Sequence, residues 1–374
     1  VEQNELKHIG QAFGKDAKFR PIGAGHINDT YRSEDGRWIL QRINTEIFKR
    51  PEEVMENIEA VTACLRKKLA EDGKDPSRGT LTVVPAEEGA LLVKTESGVF
   101  RMYENIRNAH SVEPEERTLQ EFEKAAAAFG RFQRALQAFP VKKLHETIPD
   151  FHHTVKRLAR LKEVFSERLR DEKEAAAEQE TAGSLSSEPE REERIQRLHQ
   201  ALPWIEYALS VEKIAPMVLD GLANGSIPLA VTHNDTKINN VLFDDDTNEA
   251  IAVIDLDTVM PGSRLYDFGD AVRSGAVTAA EDEPELSKVH FDPEAYLAFK
   301  RGYLSEMADA LTAREKELLL PSAELMTYEC GIRFLTDYLE GDPYFKTDYP
   351  EHNLVRARNQ FRILQEMLKL PEDL

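Results

Sequence analysis

Cysteine is nearly absent from this chain: Cys64 and Cys330 stand alone among 374 residues. Two thiols make one bridge at most, and usage this sparse fits a reducing compartment, the cytoplasm. Long apolar runs are missing as well. None approaches the roughly 20 residues of a membrane helix. The first residues, Val1-Glu-Gln-Asn-Glu-Leu-Lys7, lack the apolar stretch of a secretory signal. Basic residues are outnumbered, 48 Lys and Arg against 68 Asp and Glu, for a formal net charge of -20. That balance argues against nucleic acid and acidic membranes as partners. It leaves nucleotides open, because local donors and Mg²⁺ hold phosphates against a negative background. Oligomeric state is not legible.

What is present is length for two domains and 41% hydrophobic residues, enough for globular cores. One stretch organises the rest: Val231-Thr-His-Asn-Asp-Thr-Lys-Ile-Asn-Asn-Val-Leu-Phe243, followed by Ile251-Ala-Val-Ile-Asp-Leu-Asp-Thr258. Asp235 lies five residues before Asn240, the spacing of base and metal ligand in a kinase catalytic loop. Two short apolar runs, 241–243 and 251–254, flank the turn formers of 244–248 and predict a hairpin. Asn240 enters its first strand and Asp255 leaves its second. Antiparallel strands lie roughly 4.8 Å apart, so an amide oxygen and a carboxylate converge as hard ligands for Mg²⁺. Asp235 is placed to accept a proton from a substrate hydroxyl. The bland alternative is a hairpin with acidic caps and no metal.

Upstream, residues 1–20 predict a helix leading into a first sheet. Gly23 and Gly25 then allow a loop to lie over phosphates through its N–H groups, although glycines in turns are often only turns. Arg37–Ile43 has strand character, and Arg42 is the candidate phosphate-pairing cation, or else an exposed strand arginine. Residues 51–65 read as a helix with Val54, Ile58, Val61 and Leu65 on one face. Glu52, Glu53 or Glu56 on that helix is a candidate partner for the cation. Residues 81–84, 90–93 and 99–103 supply three more strands. The last, carrying Met102, runs into Glu104-Asn-Ile106, a hinge whose backbone would meet an adenine edge.

Beyond the hinge the chain turns helical, with apolar faces at Leu119–Leu136 and Phe151–Leu169. His145, Asp150, His152 and His153 cluster between them; imidazoles with a carboxylate can ligate zinc, but the spacing fits no zinc signature and loop roles suit them better. The Glu-rich stretch 170–195 reads as a solvated, mobile excursion between helices. Asp267 and Asp270 either hold the catalytic loop or cap a helix. Further helices are expected near 292–309, 313–340 and 350–369.

These motifs resemble the aminoglycoside phosphotransferase and choline kinase superfamily, and within it the N-acetylhexosamine 1-kinase group. The likeness rests on Gly23-Ala-Gly-His-Ile-Asn-Asp-Thr30, His233–Asn240, Ile254-Asp-Leu-Asp-Thr-Val-Met-Pro-Gly262, Leu265-Tyr-Asp-Phe-Gly-Asp270 and Arg333-Phe-Leu-Thr-Asp-Tyr338. It implies an α+β, two-lobed, protein-kinase-like fold, with a small, mainly antiparallel β N-lobe (1–105) and a large, mainly helical C-lobe (106–374). It also implies a kinase that uses ATP and Mg²⁺ to phosphorylate the anomeric hydroxyl of an N-acetylhexosamine. Asp235 would be the base, and Asn240 and Asp255 the metal ligands. Gly23, Gly25, Arg42, Met102 and Glu104 would meet the nucleotide. Arg333 and Tyr344 would lie at the sugar, with His26 and Asn28 as lid contacts; Arg333 on a helix also suits a plain ion pair. Another small alcohol (choline, homoserine or an aminoglycoside) is the alternative acceptor, although no dense aromatic cluster for a cation marks residues 325–345. A non-catalytic nucleotide-binding protein and a metal-dependent hydrolase fit less well.

Overall fold

Period-2 and period-3.6 apolar patterns alternate through the first hundred residues, and the computed structural model turns them into a helix-backed sheet. It describes residues 1–22, 27–182 and 189–371, apart from the side chains of 179–182. Gly23, Gly25 and His26 therefore lie outside the described residues. In chain order the strands are β1 (Phe19–Pro21), β2 (Asp29–Ser33), β3 (Trp38–Ile43), β4 (Val93–Thr95), β5 (Gly98–Glu104), β6 (Ala109–His110), β7 (Ala230–Thr232), β8 (Val241–Asp244), β9 (Ala250–Val253) and β10 (Met260–Gly262). The helices are α1 (Gln3–Ala12), α2 (Pro51–Glu71), α3 (Pro76–Gly79), α4 (Leu119–Ala135), α5 (Thr154–Ala182), α6 (Pro189–Ser210), α7 (Met217–Asn224), α8 (Arg264–Gly275), α9 (Pro293–Met307), α10 (Ala313–Glu317), α11 (Leu319–Glu340) and α12 (His352–Met367).

Two compact units result. The first takes Val1–Pro149, Leu229–Asp267 and Ala298–Leu311; the second takes Asp150–Pro228, Phe268–Leu297 and Thr312–Leu374. In the first unit an antiparallel sheet runs in the order β1-β2-β3-β5-β4. Side chains alternate between its faces. Tyr31, Leu40, Phe100 and Met102 share one face and pack on Leu6, Ile9 and Phe13 of α1. Gln41 and Arg101, opposite one another in register, share the other.

Of the three strands expected after α2, only 99–103 forms in full, within β5. Residues 81–84 contribute a lone bridge from Val83 to Tyr103, and pairing in 90–93 begins only at Val93. The reason is edge length. β3 covers one edge of the seven-residue β5, and β4 shares the other with the 82–84 segment.

The second unit is helical. Its core joins Leu158 and Leu161 of α5, Ala201 and Ile205 of α6, Tyr328, Ile332 and Leu335 of α11, and Phe361 and Leu364 of α12. The excursion expected at 170–195 is corrected here: α5 continues to Ala182 and α6 starts at Pro189. Runs of Ala, Glu, Lys and Arg are good helix formers without an apolar face. Pairs Glu178–Arg191, Asp171–Arg194 and Glu172–His199 hold the two helices antiparallel. Among the described residues no helix is long and apolar enough to cross a membrane, and both cysteines are free.

Candidate active site

The segment 230–262 folds back on itself because both of its ends pair. β7 meets β10 antiparallel, Thr232 opposite Met260, and β8 meets β9 with Val241 opposite Val253. The hairpin expected from sequence is present. At its open end Ile254 N–H donates to the Asn240 carbonyl at 2.9 Å, which brings the Asp255 backbone beside Asn240.

A buried carboxylate fixes the turn ahead of the hairpin. Asp267 accepts from the N–H groups of His233 (3.0 Å) and Asn234 (2.8 Å) and from Gln133 Nε2 (2.7 Å). Asn234 sits at φ 66°, a conformation asparagine tolerates, and its amide donates to the Thr258 carbonyl at 2.8 Å. Thr258 Oγ1 in turn donates to the His233 carbonyl at 2.6 Å. Of the two roles left open for Asp267, loop holding is realised. Asp270 instead pairs with Arg273 at 2.9 Å.

Held this way, Asp235 receives the amide of Asn240, which donates to its backbone carbonyl (2.8 Å) and its carboxylate (3.1 Å). Lys237 Nζ lies 3.0 Å from the other carboxylate oxygen. Burial pulls the Asp235 pKa up, but Lys237, His233 and the Asn240 bond outweigh it and hold the carboxyl below the usual range. Asp255, at φ 58°, behaves oppositely. Burial, then repulsion from Asp257 and Asp235, pushes its pKa to about 7.

Those neighbours test the fit of a cation. Asn240 spends its NH₂ on Asp235, which leaves Oδ1 as the accepting end. Asp255 carries a carboxylate that its acidic neighbours destabilise. One carboxylate and one amide oxygen suit Mg²⁺, which keeps waters and takes further oxygens from phosphates. Among the described residues no group of three or more His, Cys, Asp or Glu forms a metal cage. The zinc alternative dissolves into separate pairs: His145 with Glu56 (2.8 Å), Asp150 with Lys156 (2.6 Å) and His152 with Glu329 (2.8 Å).

Arg42 does not join these groups. It is one residue from Gln41 and so on the other face of the sheet. Its Nε donates to Asp29 at 2.7 Å and its Nη1 to the Ser97 carbonyl at 3.2 Å. The buried cation is Arg101, 1% exposed, at 2.5 Å from Asp257 and donating to Gln41 at 3.0 Å. Burial disfavours its charge, but Asp257 and Asp255 keep it firmly protonated. The helix glutamates do not reach it: Glu52 pairs with Lys94, Glu53 with Arg50 and Glu56 with His145. Sequence reasoning passed over Arg101 and Asp257. The available signal was an arginine inside an apolar strand, a buried charge that demands a partner.

Asn28 is buried and uses both ends of its amide internally, donating to Asp257 at 2.7 Å and accepting from Asn44 N–H at 3.0 Å. It tethers the start of β2 to Asp257. The Met102 carbonyl accepts from Val84 and Glu104 N–H donates to Thr82, both at 2.9 Å. Both bonds tie the end of β5 to the 82–84 segment. In the second unit Arg333 lies over the rings of Tyr344 (6.0 Å) and Phe345 (5.4 Å). Asp337 accepts from the N–H groups of both aromatic residues, at 2.9 and 3.0 Å, and Tyr344 is 62% exposed.

Among solved structures the chain is similar to an aminoglycoside phosphotransferase from Alicyclobacillus acidocaldarius subsp. acidocaldarius DSM 446, with 13% identity, TM-score 0.57, and 95% of this chain and 93% of that one covered. It is similar to a spectinomycin phosphotransferase solved with ADP and spectinomycin, at 12% identity and TM-score 0.56, with 100% and 99% covered. A Plasmodium vivax ethanolamine kinase gives 13% identity and TM-score 0.54, with 95% and 87% covered. Identities this low establish the fold, the two-lobed kinase-like α+β architecture. The family model described as "phosphotransferase enzyme family" matches residues 18–317, and the chain belongs to that family, within the aminoglycoside phosphotransferase and choline kinase superfamily.

Proposed function

We propose that this chain is an ATP- and Mg²⁺-dependent kinase that phosphorylates the anomeric hydroxyl of N-acetylhexosamines, N-acetylglucosamine or N-acetylgalactosamine. The observation that carries the kinase reading is the convergence of Asp235, Asn240 and Asp255 at the open end of the β8–β9 hairpin. Phosphoryl transfer needs positioning and charge neutralisation more than covalent help. Asp235, kept ionised by Lys237, accepts the proton of the attacking hydroxyl. Asn240 and Asp255 would hold Mg²⁺, which would supply charge neutralisation for the triphosphate. Arg101 fixes Asp257, and through Asn28 this pair anchors the start of β2. Residues 1–105 form the nucleotide lobe in this reading, and the remainder carries catalysis and acceptor binding.

The acceptor assignment rests on the motif resemblance and on the Arg333–Tyr344–Phe345 cluster, polar and aromatic as a sugar ring requires. The solved relatives include enzymes named for amino-bearing acceptors, aminoglycosides and ethanolamine. The test is ADP release with Mg-ATP against N-acetylglucosamine, N-acetylgalactosamine, free hexoses, choline, homoserine and ethanolamine, with the phosphorylated position read by phosphorus NMR. The expected result is turnover on acetylated sugars with an anomeric phosphate, abolished in Asp235→Asn. Best turnover on an amino alcohol would overturn the sugar assignment; full activity in Asp235→Asn would overturn the base.

A further inference from the structure

Two arginines in the second unit, Arg157 and Arg333, lie close enough to feel one another's charge, with Glu329 the buried carboxylate near both. Helices α5 and α11 run in the same direction, because Thr154 meets Glu329 near one end and Arg160 meets Glu340 further along both. Glu329, 1% exposed, accepts from Thr154 Oγ1 at 2.5 Å and bonds His152 Nδ1 at 2.8 Å. Arg157 lies one turn beyond Thr154 and Arg333 one turn beyond Glu329. In parallel helices one turn carries both to the same level.

Arg157 donates from Nη2 to the Phe151 carbonyl at 3.1 Å, and its Nε is buried without a hydrogen-bond partner. Arg333 has the faces of Tyr344 and Phe345. The near acid, Glu329, is already engaged. Burial, then the charge of Arg333, pulls the Arg157 pKa below its usual value against the opposing charge of Glu329.

Half-buried charge of one sign costs free energy until a partner with acceptor oxygens meets it. We propose that Arg157 and Arg333 form a paired-guanidinium subsite that takes the acyl oxygen and neighbouring hydroxyls of the acceptor, and that it excludes acceptors bearing an ammonium group. The proposal rests on the sugar-kinase reading but assigns a new residue, Arg157, and a reason for choosing amides over amines. A guanidinium supplies forked N–H donors to a carbonyl. An ammonium at the same place meets two positive charges. Glucosamine and N-acetylglucosamine differ by that change alone.

The experiment combines titration calorimetry and ADP release on the wild type, Arg157→Gln and Arg157→Lys. The probes are N-acetylglucosamine, glucosamine, glucuronic acid and ethanolamine, and melting temperatures check the fold of each variant. The wild type is expected to favour N-acetylglucosamine over glucosamine by about a hundredfold or more in kcat/KM, the scale of losing a paired polar group. Arg157→Gln should raise the acceptor KM by about tenfold with the ATP KM unchanged, and should narrow the preference. Arg157→Lys should keep the exclusion of ammonium while losing part of the affinity. If N-acetylglucosamine is the best acceptor and Arg157→Gln changes neither KM nor preference, the subsite falls and the sugar reading stands. If glucuronic acid is best and depends on Arg157, the subsite stands and the N-acetylhexosamine reading falls. Preference for an ammonium-bearing acceptor, or binding of none of the four, overturns the subsite.

Discussion

Asp235 and Asp255 are carboxylates in one small space, yet they titrate in opposite directions. Both are buried, but Lys237 Nζ touches Asp235 at 3.0 Å, while at Asp255 burial, then repulsion from Asp257 and Asp235, prevails. A base works ionised, so its rate is full above its pKa and is lost as pH falls through it. Lys237 lowers the Asp235 pKa; Lys237→Met should therefore move the acid limb of kcat/KM for the acceptor to higher pH. A pH-rate profile reads this directly. An unmoved limb with a lower kcat would give Lys237 to the phosphates instead. The sequence made Asp235, Asn240 and Asp255 legible because spacing and a local hairpin bring them together. The burial of Arg101 beside Asp257 was not legible, because it depends on which face of β3 the residue meets. Only the pairing of Gln41 with Arg101 decides that.

At the scale of elements, the 231–243 segment is held by packing from outside it. Gln133 of α4 donates to Asp267 and accepts from Tyr303 of α9 at 2.5 Å. Asp267→Ala would leave two backbone N–H groups and the Gln133 amide without their acceptor. An unsatisfied buried donor costs about 1–3 kcal/mol, so the variant should melt lower and lose turnover. Asp267→Asn, with one accepting oxygen, should fall between. Chemical denaturation and turnover measured on both variants check this; wild-type stability in Asp267→Ala would mean the loop is held elsewhere. Elements were legible where one segment carried its own period, as in α2, α4 and the β8–β9 hairpin. They were not legible where pairing was decided at a distance. The runs 81–84 and 90–93 have strand character, but β5 offers each only a short edge. The 170–195 region lacks an apolar face, and its two helices are matched by ion pairs between them.

For the whole molecule the informative quantity is stability with and without nucleotide. A ligand that binds only the folded state at about a hundred times its Kd adds about 2.7 kcal/mol. In a protein of this size that is a shift of a few degrees in Tm. Mg-ATP should therefore raise the melting temperature of the wild type. Asp235→Asn, which alters the proton acceptor, should keep the shift, and Asp255→Ala should lose its Mg²⁺-dependent part. The pH dependence follows from the Asp255 pKa near 7. A carboxyl raised this far costs the metal-free fold stability as pH climbs from the unfolded value toward 7, since ionising it in place is disfavoured. A metal ion binds the ionised form. The Mg²⁺-dependent increment in Tm should thus be small at pH about 6 and full at pH about 8. An increment independent of pH across that range would remove Asp255 from the metal site, whatever the activity of the enzyme.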